Sequence, residues 1–154
     1  MLLLLCFLLG FVTGLRSLTA PATVCWAAKL GWLHFAGTRL AFINRPTTLT
    51  VFTLLALAEL IADKLPKTPA RTDPPGLIAR VIFGCFCGVA LAASAGGNLL
   101  VAAIVGVIGG LVGTFGGYNT RRALVVHAHL PDFGVALAED LIAIGGSLLI
   151  VSHL

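Results

Sequence analysis

The chain has 154 residues, of which 58% are hydrophobic and only 10% are charged, and its formal net charge is +4. A typical soluble domain carries roughly 25% charged residues, so this composition excludes an ordinary soluble protein. It predicts an integral membrane protein that lies in the lipid bilayer as a single transmembrane domain, residues 1–154. The basic residues form no run with interleaved aromatic residues, and we therefore expect no nucleic acid partner.

The first apolar run extends from residue 1 to about residue 20 and begins directly with leucines. The sequence Ala20-Pro21-Ala22 imitates a signal-peptide cleavage site, but no basic segment precedes the run, so we expect a retained transmembrane helix. Residues 23–44 contain two tryptophans, one lysine and one arginine, which favour the headgroup region of a bilayer. This segment is therefore predicted to be an interfacial or re-entrant helix.

Four further spans are predicted at about 48–65, 76–95, 99–122 and 133–153, separated by turn signals. The clearest loop is residues 66–75, which contain four prolines. The predicted fold class is therefore all-α: a polytopic membrane protein of about five transmembrane helices with one interfacial or re-entrant segment. The four cysteines lie in apolar surroundings and are expected to be buried thiols, with no disulfide, metal or cofactor.

Glycines recur at helical spacing in two of the predicted spans. Four lie at i, i+4, i+7 and i+11 of the fourth span, and two lie at i and i+4 of the first. Small residues on one face let the backbones of two membrane helices approach closely. We therefore predict a helix-packing seam formed by Gly10, Gly14, Gly106, Gly110, Gly113 and Gly117.

An internal repeat is indicated by two similar segments. The sequence Ala-Leu-Ala-Glu occurs twice and ends once at Glu59 and once at Glu139. Each copy follows a span that ends in glycine, hydroxyl residues and arginine. The halves 1–65 and 99–154 are offset by three spans, an odd number, which predicts opposite orientations in the membrane. Inverted repeats of this kind are a recurrent design of membrane transporters.

The acidic residues within the predicted spans are the candidates for chemistry. A charged side chain at the bilayer centre costs about 3 kcal/mol, so it persists only with a partner or water. The predicted transport or ion-binding set is Glu59, Asp63, Glu139, Asp140, Arg16, Asn119, Arg121 and Arg122. For the members at helix ends, and for Lys64 beside them, an alternative stays open: these side chains would simply anchor the helix ends in the lipid headgroups. No catalytic motif is present, and His127-x-His129 is too short a pattern to indicate a metal site.

Three motifs together resemble a known family. They are Phe11-Val-Thr-Gly-Leu-Arg16-Ser-Leu-Thr-Ala-Pro21, then Ala58-Glu59-Leu-Ile-Ala-Asp63-Lys64-Leu-Pro66-Lys-Thr-Pro69-Ala-Arg71, and then Gly116-Gly117-Tyr118 with Arg121 and Glu139-Asp140. They are similar to those of small bacterial membrane proteins catalogued as domain of unknown function 4126. The resemblance covers essentially the whole chain. It implies a multi-pass protein of the bacterial inner (cytoplasmic) membrane and supplies no activity.

The leading hypothesis is a small inverted-repeat transporter or channel for an ion or small polar solute, assembled as a homo-oligomer. Its intramembrane acids would form a cation or proton site that the arginines balance. The alternative is a non-transporting scaffold or partner-binding subunit whose buried charges fix the helix register. An enzyme acting on lipids at the interface is the third option, but the sequence offers no nucleophile for it.

Overall fold

A computed structural model describes residues 1–64 and 72–154. The described chain is all-helical, as predicted, and contains a short 3₁₀ helix over Ala41–Asn44 in addition to its α-helices. Residues 66–71 of the predicted proline-rich loop lie outside the described residues. The α-helices are α1 Leu2–Leu15, α2 Thr19–Lys29, α3 Pro46–Ala62, α4 Pro74–Ala95, α5 Leu99–Val126 and α6 Asp132–Ser152.

Three helices, α4, α5 and α6, are long and apolar enough to cross a membrane, while α1 and α3 are shorter apolar helices. The residues at the ends of α4 and α5 explain where these two helices begin and end. Pro74 and Pro75 open α4, where a missing N–H costs nothing. Gly96 ends α4 with a φ of 69°, which favours glycine, and the Asn98 side chain accepts hydrogen bonds from Leu100 N and Val101 N to cap α5.

The segment predicted as interfacial or re-entrant folds differently from the expectation. Its first part belongs to α2, an 11-residue helix of about 16 Å whose residues are mostly buried. The chain then continues without regular structure to His34, whose N–H donates to Ser94 Oγ at 2.9 Å, near the end of α4. Residues 19–34 therefore return the chain to the end of the molecule at which α1 begins. Residues 29–32 and most of residues 36–45 are exposed, while Leu33, Phe35 and Ile43 are buried.

Five of the six predicted glycines, all except Gly117, lie where helix backbones meet. A Cβ added at Gly10 would meet the carbonyl of Gly106, and one added at Gly113 would meet the carbonyl of Phe11. On the opposite side of α5, Gly106 faces Gly84 of α4, a glycine that the sequence analysis did not single out. The three helices α1, α4 and α5 thus pack at backbone contact, and we call this interface the glycine seam.

The structure does not confirm the predicted inverted repeat. Along the glycine seam, residues 7 and 11 of α1 lie against residues 109 and 113 of α5, so these two helices run in the same direction. In contrast, Lys64 at the end of α3 contacts Asp140 in the first half of α6, so α3 and α6 run in opposite directions. The prediction counted three spans between the matching helices. It did not count α2, which returns the chain toward its starting end and which the sequence analysis had placed at the membrane interface.

Candidate functional site

The charged residues of four helices converge at the end of the molecule where α1 finishes. All six carboxylates of the chain lie toward this end, on the last turns of α3, before and within the first turns of α6, and at Asp73 before α4. We use the name charge cluster for Arg16, Asp63, Lys64, Arg121, Asp132, Glu139 and Asp140. These residues come together because α1, α3 and α5 end here while α4 and α6 begin here.

Arg16 is the centre of the charge cluster. It follows α1 directly and is only 1% exposed. Its Nη1 lies 2.6 Å from Asp63 Oδ2, and its Nη2 lies 2.5 Å from Asp140 Oδ1. The second contact is an ion pair without hydrogen-bond alignment, since neither atom completes a hydrogen bond within the described residues. A buried guanidinium between two carboxylates ties α1 to both α3 and α6.

Lys64 and Arg121 extend the charge cluster on either side. Lys64 Nζ lies 2.7 Å from Asp140 Oδ2, so Asp140 contacts two basic groups. Arg121 Nη1 lies 3.3 Å from Asp63 Oδ2, so Asp63 also contacts two. Arg121 further donates from Nε and Nη2 to the two oxygens of Asp132, both at 2.9 Å. Asp63 and Asp140 therefore each contact basic side chains from two different helices.

Glu139 occupies a different position from the other acids. Its Oε2 lies 3.8 Å from Arg121 Nη1, and the residue is buried. Together with Arg121 it also lines a cavity of about 550 Å³ between α1, α5 and α6, whose remaining wall is mainly apolar and includes Phe11, Leu124 and Ile142. Glu139 thus stands at the boundary between the charge cluster and this cavity.

Glu59 lies beside the charge cluster but forms its hydrogen bonds with the residues at the start of α2. Its Oε1 accepts hydrogen bonds from Ser17 N at 2.8 Å and Ser17 Oγ at 2.5 Å, and its Oε2 accepts one from Leu18 N at 2.9 Å. These N–H groups begin α2, where the helix has a partial positive charge. Glu59 therefore caps α2 from a neighbouring helix.

Arg80 was not among the predicted site residues, although it is a buried arginine in the second turn of α4. Its Nε donates to Gly14 O at 3.0 Å and its Nη1 donates to Gly76 O at 2.9 Å. The first contact satisfies a carbonyl at the end of α1, where the helix leaves its last acceptors without partners. Arg80 thus ties the start of α4 to the end of α1.

The comparisons with known proteins agree with the resemblance described above. The family model described as domain of unknown function 4126 (DUF4126) matches residues 3–153. The chain belongs to this family. Neither a search of curated proteins nor a search of solved structures finds a match. Membership in DUF4126 carries no activity, so the chemistry of this DUF4126 chain has to be argued from its own side chains.

Of the eight predicted transport or ion-binding residues, the structure of this DUF4126 chain brings five together and sets three apart. The five are Arg16, Asp63, Arg121, Glu139 and Asp140. Glu59 caps α2, while Asn119 and Arg122 are exposed and form no hydrogen bond or ion pair within the described residues. Lys64 was missed because an anchoring role at a helix end was the simpler interpretation, and Asp132 because it was assigned to the connection before the last span. The short connection between α5 and α6 was the available signal for the pair of Asp132 with Arg121.

The carboxylates of this DUF4126 chain lie against basic side chains rather than in a set of ligands for a metal cation. No group of three His, Cys, Asp or Glu residues suited to a metal ion occurs in ranges 1–64 and 72–154. The guanidinium groups of Arg16 and Arg121 would also repel a cation placed between Asp63 and Asp140.

Proposed function

We propose that the protein is a small membrane transporter or channel for an ion or small polar solute, and that protonation of Glu139 is part of its working cycle. The observation that carries this proposal is the position of Glu139 and Arg121, which belong to the charge cluster and also line the 550 Å³ cavity. In membrane proteins, buried ionisable residues mark ion and proton pathways by default.

The shared carboxylates support a mechanism in which one protonation event changes several contacts. Arg121 contacts Glu139, Asp63 and Asp132, and Asp63 contacts Arg16 as well. Neutralising Glu139 removes one of the charges that attract Arg121, so that the guanidinium moves toward its other partners. Because Asp63 is shared with Arg16, this shift reaches α1 and, through Asp140, the rest of α6. On this proposal, the charge cluster couples the movements of four helices.

The proposal is tested by reconstituting the protein into liposomes and measuring proton flux with an internal pH-sensitive dye under a pH gradient and a clamped membrane potential. We expect wild-type flux well above that of protein-free liposomes. Glu139→Gln should reduce this flux at least tenfold while leaving the thermal unfolding midpoint nearly unchanged, because the amide keeps the size of the side chain and loses its titration.

The matched control is Asp73→Asn, which also converts a carboxylate to an amide. Asp73 precedes α4 and forms no ion pair within the described residues, so its variant should transport like the wild type. Normal proton flux by Glu139→Gln would remove Glu139 from the mechanism. An equal loss in both variants would show that the assay responds to surface charge alone.

A scaffold or partner-binding subunit is the second candidate, and one observation favours it. Each carboxylate of the charge cluster contacts a basic side chain, and these contacts join α1, α3, α5 and α6, which is sufficient for a purely structural role. On that hypothesis, folded wild-type protein adds no flux of protons, ions or small solutes to liposomes. A homo-oligomer in the bacterial inner membrane belongs to both candidates, and membrane fractionation followed by mass photometry of the solubilised protein tests it.

A further inference from the structure

The end of the molecule opposite the charge cluster carries the segment of residues 30–45, which connects α2 to α3. Three apolar side chains fix this segment to the helices, since Leu33, Phe35 and Ile43 are at most 1% exposed and belong to the hydrophobic core. The Thr38 hydroxyl also donates to Phe35 O at 2.9 Å. The segment therefore presents a fixed surface rather than a loose connection.

The outward side chains of this segment, and of the last residue of α2, are basic or apolar. Lys29, Arg39 and Arg45 are exposed, and none of their side chains forms an ion pair or hydrogen bond in the described part of the chain. Three large apolar side chains that are 40–56% exposed lie among them in the sequence: Leu30, Trp32 and Phe42. We call these six residues the basic face.

The basic face has no acidic counterpart at its own end of the molecule. The chain contains six aspartates and glutamates, and Glu59 is the first of them in the sequence. All six lie toward the charge cluster, where Arg16, Lys64 and Arg121 each contact a carboxylate. The protein thus neutralises the basic side chains of the charge cluster but leaves the three charges of the basic face for a partner outside the chain.

The position of the basic face indicates what that partner is. His34 N–H donates to Ser94 Oγ near the end of α4, and α4 is long and apolar enough to cross a membrane. The segment therefore lies at the level where a spanning helix leaves the hydrocarbon. Tryptophan prefers this level, and the apolar stems of lysine and arginine can cover hydrocarbon while their charges reach the headgroups.

A dissolved anion would neutralise the basic side chains but leave the apolar side chains between them in water. An anionic phospholipid satisfies both kinds of side chain, because its phosphate lies at the headgroup and its acyl chains begin directly beneath. Each basic residue near an anionic membrane surface strengthens binding roughly fivefold. Charge and polarity therefore fit the same ligand.

We propose that the basic face binds anionic phospholipids in preference to neutral ones. The phosphate groups lie against its three basic side chains, and the acyl chains lie against its apolar side chains. This interaction needs no transport, so it stands apart from the proposed function. It holds the end of the protein opposite the charge cluster in a membrane surface that contains anionic lipid.

The chain carries its own probe for this test, because one of its two tryptophans belongs to the basic face. Trp26→Phe leaves Trp32 as the single tryptophan. This parent variant is reconstituted into vesicles with equal amounts of phosphatidylglycerol and phosphatidylcholine, and either the anionic or the neutral lipid carries bromine on its acyl chains. Bromine quenches tryptophan fluorescence at contact. We expect the relative binding constant of the anionic lipid to be at least about threefold higher than that of the neutral one.

The triple substitution Lys29→Gln, Arg39→Gln and Arg45→Gln in the parent should make quenching by the two lipids equal. Arg122→Gln is the matched control, because it removes an exposed basic residue at the opposite end and should keep the preference. Salt at about 1 M should also weaken the preference of the parent variant, since it screens charges beyond about 3 Å.

Three results would overturn the proposal. Equal quenching of the parent variant by the two lipids would show that the basic face does not select anionic lipid. A preference that survives the triple substitution would place the recognition elsewhere. Quenching by neither lipid would mean that Trp32 is covered by another protein chain, such as a second copy.

Discussion

The glycine seam and the charge cluster share α1 and α5 but hold their helices together by different means. At the seam, α1, α4 and α5 meet at backbone contact because glycines leave no side chains between them. In the charge cluster, long side chains from α1, α3, α5 and α6 cross the space between helices that are further apart. At the seam, an added side chain at Gly10, Gly106 or Gly113 would meet the backbone of the neighbouring helix. In the cluster, the costly change is instead the loss of the partner of a buried charge.

The two regions also depend on each other. Arg16 follows Gly14 by two residues, and Arg121 follows Gly117 by four, so each arginine extends from the end of the seam. Because the seam packs α1 parallel to α5, both arginines arrive at the same end of the molecule and share Asp63. An inverted arrangement of these two helices would have placed the arginines at opposite ends. The charge cluster thus follows from the direction in which the seam packs.

The largest effect is expected from adding bulk to the seam. Gly113→Leu places a side chain against the carbonyl of Phe11, and the backbone of α1 cannot move aside without separating from α5. Ordinary overpacking costs about 1–3 kcal/mol, and this clash should exceed it, so we expect little or no folded protein. The measurement is the monodisperse fraction and thermal unfolding midpoint in detergent.

Gly145→Leu on α6 is the matched control, since nothing lies within 4 Å of a Cβ added there. It should unfold at or above the wild-type temperature, because leucine favours a helix more than glycine does. Similar midpoints for the two leucine variants would mean that the seam does not hold the helices together.

A smaller loss of stability is expected when a buried charge loses its partner. Asp140→Asn removes the carboxylate that contacts both Arg16 and Lys64, at a side chain that is 7% exposed. Leaving a buried charge unpaired costs about 3–5 kcal/mol. The comparison is Asp132→Asn on the same helix, where the side chain is 61% exposed and the expected cost is at most about 1 kcal/mol. Unfolding in mixed detergent micelles measures both, and equal costs would contradict the burial of the cluster.

The features that the sequence predicts well are those that depend on local spacing. The membrane class follows from composition, and the glycine face follows from intervals of three and four residues along one helix. The position of Arg16 at a helix end and that of Glu139 inside its span likewise follow from hydropathy. Each of these requires knowledge of one segment at a time.

The pairings of the charge cluster are not predictable in this way, because they join residues far apart in the sequence. Lys64 and Asp140 are separated by 76 residues, and nothing near either residue specifies the other. The direction of α5 relative to α1 depends on how many times the chain crosses between them. Residues 19–34 decide that number, yet their hydropathy is broken by polar residues, so α2 was not predicted as a return of the chain.

The smallest expected effect separates two glutamates that have the same local sequence. Both follow Ala-Leu-Ala, and the sequence analysis gave them equivalent roles. In the structure, Glu59 accepts hydrogen bonds at the start of α2, whereas Glu139 lines the cavity between α1, α5 and α6. Glu59→Gln should therefore cost about 1 kcal/mol of stability, the usual value of a lost helix cap, and should retain proton flux within about twofold. Glu139→Gln should show the reverse: a nearly unchanged unfolding midpoint and at least a tenfold loss of flux. Measuring both properties on both variants tests the assignment, because equal losses of flux would restore the equivalent roles and remove the distinction between a cap and a proton site.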